Sequence, residues 1–82
     1  MVTPVFTPRE VGVIANQDGE PTTVALKKRQ RKVVSIRNTW RIDDEWWREE
    51  ISRLYFELEL VNGTVVTVFQ DQVSGKWYQQ KY

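Results

Sequence analysis

Between Leu54 and Leu60 the chain alternates strictly: Leu54, Phe56, Leu58 and Leu60 share one parity, while Tyr55, Glu57 and Glu59 take the other. A period of two belongs to a half-buried strand, whose successive side chains point to opposite faces. Asn62-Gly63 follows directly and suits a two-residue type I′ turn, in which both central positions need positive φ. Such a turn joins 54–61 to 64–70 and sets Leu60 opposite Val65, Leu58 opposite Thr67 and Phe56 opposite Phe69. A slip by one residue would carry the glutamates into the core, so the alternation argues for one register.

Two more hairpins follow the same logic. Asp18-Gly19 predicts a type I′ turn between strands at 10–16 and 21–28, with Val13 opposite Val24, Val11 opposite Leu26, and Ala15 and Thr22 on the same face. Ser74-Gly75, within Asp71–Gly75, joins 64–70 to a last strand at 76–81. Between the first two hairpins, Val34, Ile36 and Trp40 recur on even positions of 32–42 while Ser35 and Arg37 face away, again a strand pattern. The stretch 43–50, DDEWWREE, predicts one helical turn: Asp43 or Asp44 caps it, Glu45 suits its positive end, and Asp44 and Arg48 are spaced i,i+4. On that turn Trp47 and Ile51 point inward and Trp46 lies nearer the surface.

Residues 1–9, with Pro4 and Pro8 and no useful period, read as an extended arm, onto which Val5 and Phe6 offer docking groups. Residues 10–82 read as a single small β domain. The expected fold is all-β: an antiparallel meander of about six strands curled into a small, partly closed barrel, with one short helical turn at 44–50. Its expected core is Val11, Val13, Val24, Leu26, Val34, Ile36, Trp40, Trp47, Leu54, Phe56, Leu58, Leu60, Val65, Phe69 and Trp77.

Composition narrows the chemistry. The 82 residues include no Cys and no His, so thiolate, imidazole and their metal sites lose their usual residues. Hydroxyls are plentiful but have no His or thiolate partner to activate them, and the scattered glycines form no phosphate-cradling loop. No enzyme, metal or cofactor is expected. No apolar run approaches the roughly 20 residues that span a bilayer, and the first residues lack a signal-peptide pattern, so the expected setting is cytoplasmic and reducing with no membrane association. Four tryptophans supply core area that so short a chain otherwise lacks.

The near-neutral total hides an asymmetry. Residues 1–42 carry eight Lys/Arg against three acids, whereas residues 43–82 carry four against eight. Lys27, Lys28, Arg29, Arg31 and Lys32 crowd the predicted turn between the second and third strands. Such a loop suits a nucleic-acid backbone, with Arg37 and Arg41 extending the patch, and it suits still better a solvated tip that blunts a sheet edge. Asp43, Asp44, Glu45, Glu49 and Glu50 form the acidic counterpart. Neighbouring acids on one turn diverge rather than converge on a metal or a scissile bond. Asp43, Glu45 and Glu49 around an exposed Trp46 instead resemble the anchor of a protein interface.

The stretch Trp40-Arg41-Ile42-Asp43-Asp44-Glu45-Trp46-Trp47, then Ser52-Arg53 before an aromatic strand, then Asp71, Ser74-Gly75 and Trp77-Tyr78, resembles a small bacterial domain of unknown function. That domain is similar to the C-terminal end of DNA-polymerase-Y-like proteins of translesion mutagenesis. The resemblance covers roughly residues 10–82 and is most specific at Trp40–Trp47. No polymerase palm or fingers are present, so it implies a setting in DNA damage tolerance and no catalytic residues. The functional expectation is a non-catalytic binding module, a protein-interaction accessory of DNA damage tolerance or translesion synthesis. The alternatives are a nucleic-acid-binding β domain using the 27–32 hairpin, and a structural domain that closes a homodimer; the chain is expected to be a monomer or homodimer.

Overall fold

The structure, a computed structural model, describes residues 9–26, 28–46 and 49–80, and for 44–46 and 49–50 the backbone alone. Seven strands make one antiparallel sheet: β1 (Arg9–Glu10), β2 (Gly12–Ala15), β3 (Pro21–Leu26), β4 (Arg29–Trp46), β5 (Glu49–Leu60), β6 (Val65–Asp71) and β7 (Trp77–Gln80). Their order across the sheet is β1-β7-β6-β5-β4-β3-β2. The chain from Arg9 to Ala15 touches both ends of this series. Its first half pairs with β7, Val11 N–H donates to the Trp77 carbonyl at 3.0 Å, and its second half pairs with β3. That single segment draws the sheet into the expected curled, partly closed barrel. The predicted strand at 10–16 is thereby split between two partners.

The concave face holds the core. Val24, Phe56, Leu58, Leu60, Val68 and Trp77 are buried together, with Val11, Val13, Leu26, Val33, Ile36, Leu54 and Val66 packed against them. Strand β4 bends to make this possible. Eighteen residues of extended strand would span about 55–60 Å, whereas the longest extent of the molecule is 39 Å. Register shifts between Val33 and Ser35 and between Ile36 and Asn38 mark two bulges, which bend and twist a strand by inserting an unpaired residue. The first bulge leaves Val34 62% exposed and gives its inward place to Val33, correcting the expected core.

Both hairpins predicted to turn as type I′ turn differently. Gly19 and Gly63 have φ of 81° and 86°, but Asp18 and Asn62 keep negative φ, so neither turn is type I′. Gly63 N–H donates to the Leu60 carbonyl and Leu60 N–H to the Thr64 carbonyl, which is a type I turn followed by a glycine bulge. The first hairpin repeats this at Asn16, Gly19 and Glu20. The preference has a local cause: the Asn62 side-chain oxygen accepts from Thr64 N–H at 3.1 Å, and Asn16 accepts from Asp18 and Glu20.

The extra loop residue moves β6 by one position. Leu58 faces Val66, Phe56 faces Val68 and Tyr55 faces Phe69, instead of the predicted pairs. Strand β5 keeps its expected inward residues, because its own alternation sets them; β6 exchanges faces. Val68 is therefore fully buried, Val65 is 42% exposed, and Phe69 lies on the outer face. In the first hairpin Val13 does pair with Val24, as predicted, and a shift beyond Ile14 then sets Ala15 opposite Pro21.

The helical turn is also corrected. Asp43 to Trp46 continue β4 and Glu49 and Glu50 begin β5, with Asp44 opposite Ile51, Glu45 opposite Glu50 and Trp46 opposite Glu49. Ladder pairing with β5 outweighs the local capping pattern, a tertiary override of propensity. Residues 1–8, Lys27, Trp47, Arg48, Lys81 and Tyr82 lie outside the described residues, as do the side chains of Asp44, Glu45, Trp46, Glu49 and Glu50.

Candidate functional site

The basic run is divided by strand alternation. Lys28 occupies the β3–β4 turn with φ of 68°, and Arg29 to Lys32 are already strand. Arg29 pairs with Leu26 and Arg31 with Val24, so these two arginines share the concave face with the core. Gln30 and Lys32, opposite Ala25 and Thr23, take the other face. Arg29 and Arg31 border a cleft of about 490 Å³ at one end of the barrel, over Leu26, Leu60 and Val66, with Asn62, Thr64 and Gln79 completing its lining. Two cations above an apolar floor can hold an anionic group attached to an apolar or planar body.

Arg37 and Arg41 do not extend that cleft. Arg37 sits exposed in the second bulge. Arg41 lies opposite Leu54, twelve positions along β4 from Arg29, and is engaged elsewhere. Its Nε donates to Asp43 Oδ2 at 2.7 Å and its Nη2 to Ser52 Oγ at 3.1 Å, while Ser52 Oγ donates to Asp43 Oδ1 at 2.7 Å. The Ser52 hydrogen bond first, then the Arg41 hydrogen bond and charge, hold the Asp43 carboxyl below the usual carboxylate range. Among the predicted interface residues, Asp43 is thus a structural partner of Arg41 and Ser52. Glu45, Trp46 and Glu49 lie in the end of the β4–β5 hairpin, past the last β6 pair at Arg53 and Asp71.

A row of aromatic rings on the outer face was not anticipated as a unit. Trp40, Tyr55, Phe69 and Tyr78 are successive cross-strand partners on β4, β5, β6 and β7. Their ring centroids are 5.3, 4.9 and 5.3 Å apart, with interplanar angles of 8°, 36° and 26°. Trp40 stacks on Tyr55 and Phe69 on Tyr78, while Tyr55 and Phe69 meet at a tilt. The guanidinium of Arg53 lies 4.8 Å from the Phe69 centroid. The sequence signal was present in Tyr55 and Tyr78, whose parity opposes the core, but the predicted one-residue register kept Phe69 with Phe56.

Strand β4 also presents a backbone edge. It pairs with β3 only through Arg29 to Lys32, and among the described residues no strand covers the same edge from Val33 to Trp46. Two hydrogen bonds show which groups face outward. Gln72 N–H donates to the Ser52 carbonyl and Leu60 N–H to the Thr64 carbonyl, so even residues of β5 turn toward β6 and odd ones toward β4. Asn38, Trp40 and Ile42, opposite Glu57, Tyr55 and Arg53, therefore bond to β5. The N–H and C=O groups of Thr39, Arg41 and Asp43 face outward. In agreement, Thr39 N–H is held by the Asn38 side-chain oxygen at 3.0 Å.

Among the described residues no group of three or more His, Cys, Asp or Glu converges as a metal site, and no helix is long and apolar enough to cross a membrane. No protein-family model, curated protein or solved structure matches the chain.

Proposed function

We propose that this chain is a non-catalytic protein-interaction module which receives an extended segment of its partner on the outer edge of β4. The open edge from Val33 to Trp46 carries the proposal. An unpaired strand offers its N–H and C=O groups as a template for another strand, and folds usually blunt such edges with Lys, Pro or bulges. Both bulges of β4 lie before Asn38, and the stretch from Asn38 to Trp46 contains neither Lys nor Pro; of its charges Arg41, Asp43, Asp44 and Glu45, the first two are tied to each other and to Ser52. The resemblance read from Trp40–Trp47, to a small bacterial domain that is itself similar to the C-terminal end of DNA-polymerase-Y-like proteins, favours a partner in DNA damage tolerance, in a cytoplasmic setting. The experiment is binding of purified translesion-machinery proteins to the parent and to Thr39→Pro, which removes an outward N–H without touching the β4–β5 ladder. Binding by the parent that is abolished in the variant supports the reading; equal binding by both overturns edge pairing.

The cleft beneath Arg29 and Arg31 favours a second reading, a nucleic-acid-binding domain that seats a phosphate against the apolar floor. Labelled single strands separate the two. Under this second reading they shift at low salt, and Arg29→Gln/Arg31→Gln lowers the slope of log K against log salt by about 0.7 for each phosphate no longer neutralised. No shift by the parent at low salt removes it.

A further inference from the structure

We infer that a second copy of this chain occupies the β4 edge, pairing antiparallel about a two-fold axis at Trp40 so that Trp40 of one copy stacks on Trp40 of the other. The inference rests on the edge reading above: a second copy holds the edge when no partner segment does, and the two compete for it. The ladder of four rings ends at Trp40, one face against Tyr55 and the other directed toward the edge where β4 has no neighbour among the described residues. Trp40 is accordingly only half-buried, in contrast to Tyr55 and Phe69. An aromatic residue on an added strand, directly opposite Trp40, continues the stack.

The edge is self-complementary in one register. An axis at Arg41 would set Arg41 against its own copy, and an axis at Thr39 would set Arg41 against Arg37; like charges directly opposite are destabilising. An axis at Ile42 would leave Trp40 against Asp44 and end the stack. With the axis at Trp40, Arg41 faces Thr39, Ile42 faces Asn38, and Asp43 of each copy comes beside Arg37 of the other. The backbone polarity agrees. Thr39 and Arg41 carry outward N–H and C=O groups and exchange bonds across the axis, once the Asn38 side chain releases Thr39 N–H. Trp40 is then a non-hydrogen-bonded pair, the type that brings opposing side chains closest. The second bulge bounds the regular pairing at Asn38.

The absence of native cysteine makes the test clean. In this register Asn38 and Ile42 of opposite copies form non-hydrogen-bonded pairs, with Cα atoms about 4.5 Å apart, within disulfide reach. Two copies of Asn38, or of Ile42, lie about 13 Å apart along the strands, beyond reach. Mixing Asn38→Cys with Ile42→Cys under mild oxidation is expected to give a disulfide-linked dimer that neither variant gives alone. Equal dimer from either single variant, or none from the mixture, overturns the inference. Sedimentation of the unmodified chain is expected to show a monomer–dimer equilibrium that Thr39→Pro weakens about tenfold or more. A chain that stays monomeric throughout, yet loses a purified partner protein through Thr39→Pro, refutes the second copy and leaves the edge reading standing. If Thr39→Pro binds that partner as the parent does, the edge reading fails with it.

Discussion

Trp40 and Tyr55 face each other across β4 and β5 with ring centroids 5.3 Å apart and planes within 8° of parallel. Tyr55 in turn lies against Phe69, so one buried tyrosine joins the edge tryptophan to the middle of the sheet. This relationship gives the outer face an apolar layer of its own. A double-mutant cycle with Trp40→Leu and Tyr55→Leu is expected to return a coupling of about 0.5–1.5 kcal/mol in urea melts. A coupling near zero would mean the two rings contribute only separate burial.

The register of the β5–β6 hairpin makes opposite forecasts for two valines. Val68 is fully buried and Val65 is 42% exposed. Val68→Ala is expected to cost about 2 kcal/mol from reduced burial and the cavity left behind. Val65→Ala is expected to stay within about 0.5 kcal/mol. The reverse order would restore the Leu60–Val65 pairing that an Asn-Gly type I′ turn requires.

Turn type is tested separately at Asn62 and Gly63. Only Gly63 has positive φ, at 86°, and a Cβ there meets nothing within 4 Å, so its cost is conformational rather than steric crowding. Gly63→Ala is expected to destabilise by about 1–2 kcal/mol. Asn62→Asp keeps the acceptor for Thr64 N–H and a right-handed backbone, and thermal melts are expected to place it near the parent. A Gly63→Ala variant as stable as the parent would remove the left-handed glycine on which this turn depends.

The Arg41–Asp43–Ser52 triangle carries a pH signature. The folded Asp43 carboxyl titrates below its unfolded value, so the unfolded chain binds more protons as acid is added. Its stabilising contribution is complete above about pH 5, begins to fall near the unfolded value, and is lost as pH falls through the folded value. Ser52→Ala removes the leading cause, so carboxyl-detected NMR titration is expected to move Asp43 upward toward the usual range. An unchanged Asp43 titration in that variant would assign the depression to Arg41 alone.

The β class, the hairpin positions and the inward side of β5 were determined by the chain alone, because strict alternation and Gly-containing turns are local signals that burial reinforces. Leu58 and Leu60 are buried as that pattern requires, and Val13 meets Val24 as the first hairpin predicts. The helical turn at 44–50 failed because capping and i,i+4 spacing are weak preferences, which twelve residue pairs between β4 and β5 outweigh. The turn type and the face of Phe69 escaped for a smaller reason. A single residue added to a loop is nearly neutral locally, yet it moves every side chain of the following strand to the opposite face. The separation of Arg29 and Arg31 from Lys32, and of Arg37 from Arg41, likewise depends on strand phase and bulges. Tertiary structure alone decided which cations share a cleft, which rings share a row, and which edge of β4 no other described strand covers, since each depends on pairing between segments distant in sequence.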